Sequence, residues 1–172
     1  MWLHWVIAHV MMDMMVVYGC VWHTMMIDRV IDGDTVAIQA PMLPAPLNAL
    51  GLKLRIQNVD CAETGHRARC KTESLLGEAA TVFTRSLLIG SSDVPIKFQI
   101  LLCGWDKYGG RVDGDIMIPS RIEGMPDRTL SEHLLMSGHA RPYNGKGKRD
   151  DWCNKEEEES TAIMLCPRQS DR

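Results

Sequence analysis

Two acidic runs and two arginines carry the residue types that hydrolysis of a phosphodiester requires. The first run is Asp32-Gly33-Asp34-Thr35, and the second is Arg55-Ile56-Gln57-Asn58-Val59-Asp60-Cys61-Ala62-Glu63. A third segment, Asp106-Lys107-Tyr108-Gly109-Gly110-Arg111, adds another guanidinium. Carboxylates hold hard divalent ions through oxygen, and guanidinium groups clasp phosphate oxygens two at a time. Together they can bind a metal, polarise a phosphate and orient an attacking water.

These groups work only if elements bring them together. Val21 to Val30 reads as a strand and Thr35 to Gln39 as its hairpin partner, with Ile31-Asp32-Gly33-Asp34 as the connection. Asp34 then stands at a sheet edge, although an Asp-Gly turn alone reads equally as an ordinary acidic hairpin. Ala40 to Gly51, with its prolines, reads as a loop. Leu52 to Val59 reads as the next strand, with Arg55 alternating away from Leu54 and Ile56. A turn after it can fold Glu63 back towards Asp60.

The periodicity of Thr72 to Ile89 predicts a helix whose apolar stripe is Leu75, Leu76, Ala79, Ala80, Phe83, Leu87 and Leu88, with Glu73 and Glu78 beside it. Val94 to Leu102 and Arg111 to Ile118 read as strands. Thr129 to Ser137 reads as a second helix, with Ser131 its cap or an early residue and Gly138 its stop. Short strands interrupted by a helix suit a small barrel better than a doubly wound parallel sheet. The class expected is mainly β with packed helices.

A chain of 172 residues with 45% hydrophobic content suits one domain with a real core. The formal net charge of -3 argues against a polycation that coats nucleic acid by charge alone. Residues 28–153 hold 16 basic and 16 acidic side chains, so any basic surface there is local. The glycine-rich turns match neither a P-loop nor a dinucleotide fingerprint. His66, His133 and His139 form no nucleophile–histidine arrangement. Arg141 to Arg149, with Tyr143 and Trp152 nearby, reads either as a basic rim for a single strand or as a soluble glycine-rich loop.

The six cysteines form no CxxC pair, and the reading preferred is buried or free thiols, with one disulfide in the body if the protein is exported. Residues 1–20 form an apolar, methionine-rich leader, interrupted by Asp13 and lacking a basic start. It leaves open a signal, a lipoprotein-type cleavage before Cys20, a membrane attachment or a soluble leader. Residues 21–153 form the domain, and 154–172 a tail in which Glu156 to Glu159 read as solvated.

Ile31-Asp32-Gly33-Asp34-Thr35-Val36, Arg55 through Glu63, Asp106 through Arg111, and Leu130-Ser131-Glu132 through Gly138 occur in the order found in the staphylococcal nuclease-like, or thermonuclease, family, which the chain resembles over about Val21 to Cys153. The resemblance implies a five-stranded OB-fold-type barrel with packed helices and calcium-dependent cleavage of DNA, RNA or both, leaving 3′-phosphates. It implies Asp34 and Asp60 as metal ligands, with Cys61 offering its backbone carbonyl. It implies Arg55 and Arg111 as phosphate-binding catalytic arginines and Glu63 as the carboxylate acting on the attacking water. Lys107, Tyr108 and Tyr143 fall to substrate binding. It also favours a secreted, periplasmic or membrane-anchored monomer, with a cytoplasmic location left open. Three features depart from the family pattern: Cys61 replaces a hydroxyl residue, Ala62 replaces proline, and Gly110 adds a residue before Arg111. They keep alive the alternative of a catalytically weak nucleic-acid- or protein-binding module on the same fold.

Overall fold

The computed structural model describes residues 19–41, 51–89, 96–106 and 110–153. Its strands are β1 (Val21–Asp32), β2 (Thr35–Ile38), β3 (Leu52–Ile56), β4 (Val59–Cys61), β5 (Lys97–Trp105), β6 (Arg111–Ile118), β7 (Arg128–Thr129) and β8 (Ala140–Pro142), with helices α1 (Lys71–Leu88) and α2 (Leu130–Met136). Strands β2, β1, β5 and β6 follow one another in antiparallel pairs, β2 also pairs with β3, and β3 returns to β6 in a parallel pair. The result is a closed five-stranded barrel, consistent with an OB-type fold. Closure leaves the five main strands no free sheet edge along their paired lengths. A small second sheet pairs β4 with β8.

Alternation fills the barrel. Val36, Ile38, Leu54, Ile56, Ile100 and Ile116 are fully buried, and Leu88, Leu130 and Leu134 of the two helices close the core. Arg111 to Ile118 is the strand expected there, while β1 runs on to Asp32. The single strand expected over Leu52 to Val59 is broken in two. Asn58 takes the left-handed conformation (φ 63°), which asparagine tolerates better than most residues, and redirects the chain into β4. The redirection carries Asp60 and Cys61 against β8.

Helix α1 forms where predicted, and Ala80, Phe83, Leu87 and Leu88 of its expected stripe meet the core, but the buried face is rotated away from Leu75, Leu76 and Ala79. Glu73, Gly77, Ala80, Thr84 and Leu88 are buried, whereas Leu75 and Leu76 are exposed. Two close approaches set that rotation. A Cβ on Gly33 would lie 2.7 Å from the Ala80 Cβ, and one on Gly77 would lie 2.6 Å from the Glu63 carbonyl oxygen. Only glycine admits backbone that close. The Thr84 hydroxyl seals the first contact by donating to the Gly33 carbonyl at 2.7 Å.

Glu73 is buried because it has work to do at the preceding turn. Burial alone would raise its pKa, but hydrogen bonds from the Arg69 side chain and backbone and from the Glu63 backbone lower it. Helix α2 is capped by Thr129, not Ser131, through a reciprocal box with Glu132. Ser131 is an early helical residue whose hydroxyl donates to the buried Asp115.

The expectation of thiols is corrected among the described residues: Cys20 bonds Cys103 and Cys70 bonds Cys153, each across 83 residues of sequence, and of the described cysteines Cys61 is buried and free. Cys20, which a lipoprotein-type cleavage would expose for modification, has its sulfur committed to Cys103. No described helix is long and apolar enough to cross a membrane. The leader up to residue 18, most of the proline-bearing loop (42–50), and the tail from residue 154 lie outside the described residues.

Candidate active site

The hairpin turn between β1 and β2 places Asp34 beside the end of β3, where its carbonyl accepts from the Ile56 N–H at 2.8 Å. Asp34 and Asp60 are both buried, and each meets Arg55. Arg55 Nη1 contacts Asp34 Oδ1, while Nη2 lies 3.3 Å from Asp60 Oδ1. The strand register explains the first contact, since Thr35 pairs with Arg55 across β2 and β3. The backbone N–H of Cys61 donates to Asp34 Oδ2 at 2.8 Å, tying the second acidic run to the first. Residues 26 positions apart in sequence thus face one cationic centre, as their types require.

Burial pushes Asp34 up to about 7, because desolvation penalises its charge. Arg55 and the Cys61 N–H oppose the rise, while Asp32 and Asp60 add to it. Desolvation, reinforced by the Asp34 charge, also raises the Cys61 thiol far above its usual range, so its sulfur stays protonated. That sulfur packs towards Gly33.

Glu63 lies on the turn that Gly77 admits and is held at both oxygens. Arg149 Nη1 donates to Oε1 at 2.7 Å, and Arg67 Nε lies 3.2 Å from Oε2. Arg149 Nε also sits 3.3 Å from Asp60 Oδ1, and Arg67 reaches Asp32 at 3.1 Å. Desolvation works against the Arg149 charge, but Asp60, Glu63 and Asp34 outweigh it and raise its pKa. A carboxylate oxygen has more than one acceptor direction, so these contacts leave Glu63 able to accept from water.

Arg55, Asp106, Arg111, Asp113, Tyr143 and Arg149 line one open cleft of about 670 Å³. Arg111 pairs with Asp106 at 2.5 Å. Desolvation and the Asp106 charge raise the Asp113 pKa, with Arg111 and Arg55 opposing. Tyr143 is anchored at both ends, its N–H donating to the Asn58 carbonyl and its hydroxyl to the Gly147 carbonyl, both at 3.1 Å. The structure therefore gathers Asp34, Arg55, Asp60, Cys61, Glu63, Arg111 and Tyr143 around neighbouring parts of one face. Lys107 and Tyr108 lie outside the described residues.

Asp34, Asp60 and Glu63 do not converge on a single point. Guanidinium groups separate them, Arg55 between the two aspartates and Arg149 between Asp60 and Glu63. The tight grouping of metal-type donors among the described residues is Cys70, Glu73 and Cys153, within 4.8 Å. Its sulfurs form a disulfide and Glu73 is held by Arg69, so it is a poor calcium site.

Sequence reasoning gave no site role to Arg67 or Arg149 and carried Asp32 only as part of the first acidic run. Arg149 was legible only as part of a basic segment. It reaches Glu63 because the arm after β8 is pinned down. Cys153 bonds Cys70, Arg141 donates to the Asp151 carbonyl at 2.8 Å and stacks 4.0 Å over the Trp152 ring, and Arg69 lies 3.3 Å from the Asp151 carboxylate. No family model matches the chain, and no curated protein matches its sequence.

Proposed function

We propose that the protein is a calcium-dependent endonuclease that hydrolyses phosphodiester bonds of DNA, RNA or both. The observation that carries this reading is the sharing of one guanidinium by Asp34 and Asp60. Two buried carboxylates drawn from distant segments already face a common cationic position, which is the donor chemistry a hard divalent ion takes. Asp34 and Asp60, with the Cys61 carbonyl, would hold calcium, and the ion would supply neutralising charge to the phosphate. Cys61 contributes no sulfur in this reading, in keeping with its protonated, packed thiol.

Arg55 and Arg111 line the same cleft and would bind nonbridging phosphate oxygens as negative charge develops on them. Glu63 would orient the attacking water or take its proton. In-line attack expels the 5′ oxygen and leaves a 3′-phosphate, the outcome the thermonuclease-like motifs imply. Tyr143, fixed at the rim of the cleft, would face a base or a neighbouring phosphate.

The test is incubation of the purified protein with single-stranded DNA, duplex DNA and RNA, each with calcium or chelator. Calcium-dependent cleavage with 3′-phosphate ends is expected. Absence of cleavage with every divalent ion tried would overturn the assignment and leave a binding module on this barrel.

A further inference from the structure

We infer that Arg149 is a positioning residue that sets the orientation of Glu63 relative to Asp60, and that the Cys70–Cys153 bond keeps it in place. The inference rests on the nuclease reading of the site and adds a residue to which that reading gives no role. Glu63 lies on a turn, its side chain 27% exposed, and Ala62 before it leaves the backbone freer than a proline would. An unrestrained glutamate there samples several rotamers, and orientation of a water-activating group to within a fraction of an ångström governs its rate. Arg67 holds one oxygen of Glu63 at 3.2 Å, and Arg149 holds the other and ties it to Asp60. Two of the three Arg149 guanidinium nitrogens face carboxylates, Nη1 on Glu63 at 2.7 Å and Nε on Asp60 at 3.3 Å, so one planar group fixes the two acids against each other.

The arm bearing Arg149 has little apolar burial of its own. Trp152 is its buried anchor, and Lys146, Gly147 and Lys148 are exposed. The disulfide at Cys153, together with the contacts of Arg69 and Arg141, decides where Arg149 lies.

Steady-state cleavage of a DNA oligonucleotide at saturating calcium tests this in the full chain. Replacing a residue that orients a functional ligand typically costs about 10–100-fold, so Arg149→Gln is expected to lower kcat by that factor. Because the residue acts through Glu63 and not on substrate, KM should stay within about threefold. Arg149→Lys should recover only part of the loss, since an ammonium cannot face both acids in one plane. In a Glu63→Gln background Arg149→Gln should cost nothing further. A purely structural role would predict the same additional loss in both backgrounds.

A raised KM with unchanged kcat, and a salt dependence shallower by about one, would overturn the inference in favour of a phosphate contact. A full additional loss in the Glu63→Gln background would overturn it in favour of a folding role. Should Arg149→Gln fail to show a cooperative melt, Arg149→Lys carries the same test. If the wild-type protein cleaves and Arg149→Gln cleaves equally fast, this inference alone falls. If the wild-type protein cleaves nothing, the nuclease reading falls and takes this one with it.

Discussion

Asp34 comes from the β1–β2 turn and Asp60 from β4, both almost wholly buried against Arg55, whereas Arg149 comes from an exposed arm fastened by a disulfide. On the barrel side, register does the positioning: Thr35 opposite Arg55, and Cys61 N–H on Asp34. On the arm side no ladder follows β8 among the described residues, and a disulfide, a stacked tryptophan and two arginines substitute for one. A site can therefore combine groups whose placement is inherited from the fold with groups whose placement is added by covalent and ionic fastening. The two sides should fail differently.

The largest effect is expected from the barrel side of the chemistry. Glu63→Gln, which keeps the shape and removes the basic oxygen, should lower kcat by about 10²–10⁴-fold while calcium still binds. Single-turnover cleavage and calcium titration by calorimetry check this, and full activity would break the assignment of Glu63. Arg55→Lys comes next. It removes the planar fork assigned to the nonbridging phosphate oxygens, and a loss of about 10²–10³-fold is the scale for one electrostatic group at a reacting centre.

The arm side is broken by replacing Cys70 and Cys153 together with serine. Loss of a native disulfide costs a small domain about 2–5 kcal/mol, so denaturant unfolding should shift by that amount. Activity should fall with it towards that of Arg149→Gln, while calcium affinity at Asp34 and Asp60 stays near the wild-type value. Equal damage to calcium binding would erase the distinction between the two sides.

A pH series sharpens the comparison with a smaller effect. The Asp34 pKa is raised in the folded protein, from 3.8 to about 7. Between those values the folded state holds a proton that the unfolded chain has lost. The stability Asp34 contributes is therefore complete below about pH 4 and is lost as pH rises through about 7. In chelator, Asp34→Asn should flatten that decline, and calcium should restore stability at the alkaline end of the wild-type curve. Identical pH dependence in both proteins would count against desolvation as the dominant influence on Asp34. Smallest of all, Thr129→Ala should cost about 1 kcal/mol by removing one helix cap remote from both sides of the cleft.

The carboxylate side of the site was legible because its information is local. Asp-Gly-Asp-Thr specifies a hairpin, Arg55 to Glu63 lie within nine residues of one another even though Asn58 breaks the expected strand into β3 and β4, and Arg111 opens a strand with the predicted bounds. Arg149 was not legible as a partner of Glu63, because 86 residues separate them and no periodicity links a glycine-rich arm to a turn. The buried face of α1 was read correctly at Ala80, Phe83, Leu87 and Leu88 and misread in its first half for a different reason. Hydrophobic periodicity favoured Leu75 and Leu76, but close backbone approach at Gly33 and Gly77 and the hydrogen-bonded Glu73 decide the rotation. Cysteine pairing was equally hidden, since spacing carries no connectivity.

The parallel pairing of β3 with β6 has a consequence for the order of assembly. Leu54 must wait for Val112, so a chain emerging from the ribosome completes the hairpin bearing Asp34, the turn bearing Glu63 and all of α1 before its final stave arrives. Until then both outer strands of the nascent sheet stand open to pairing with other chains. The interval before closure is when this molecule is most exposed to misassembly.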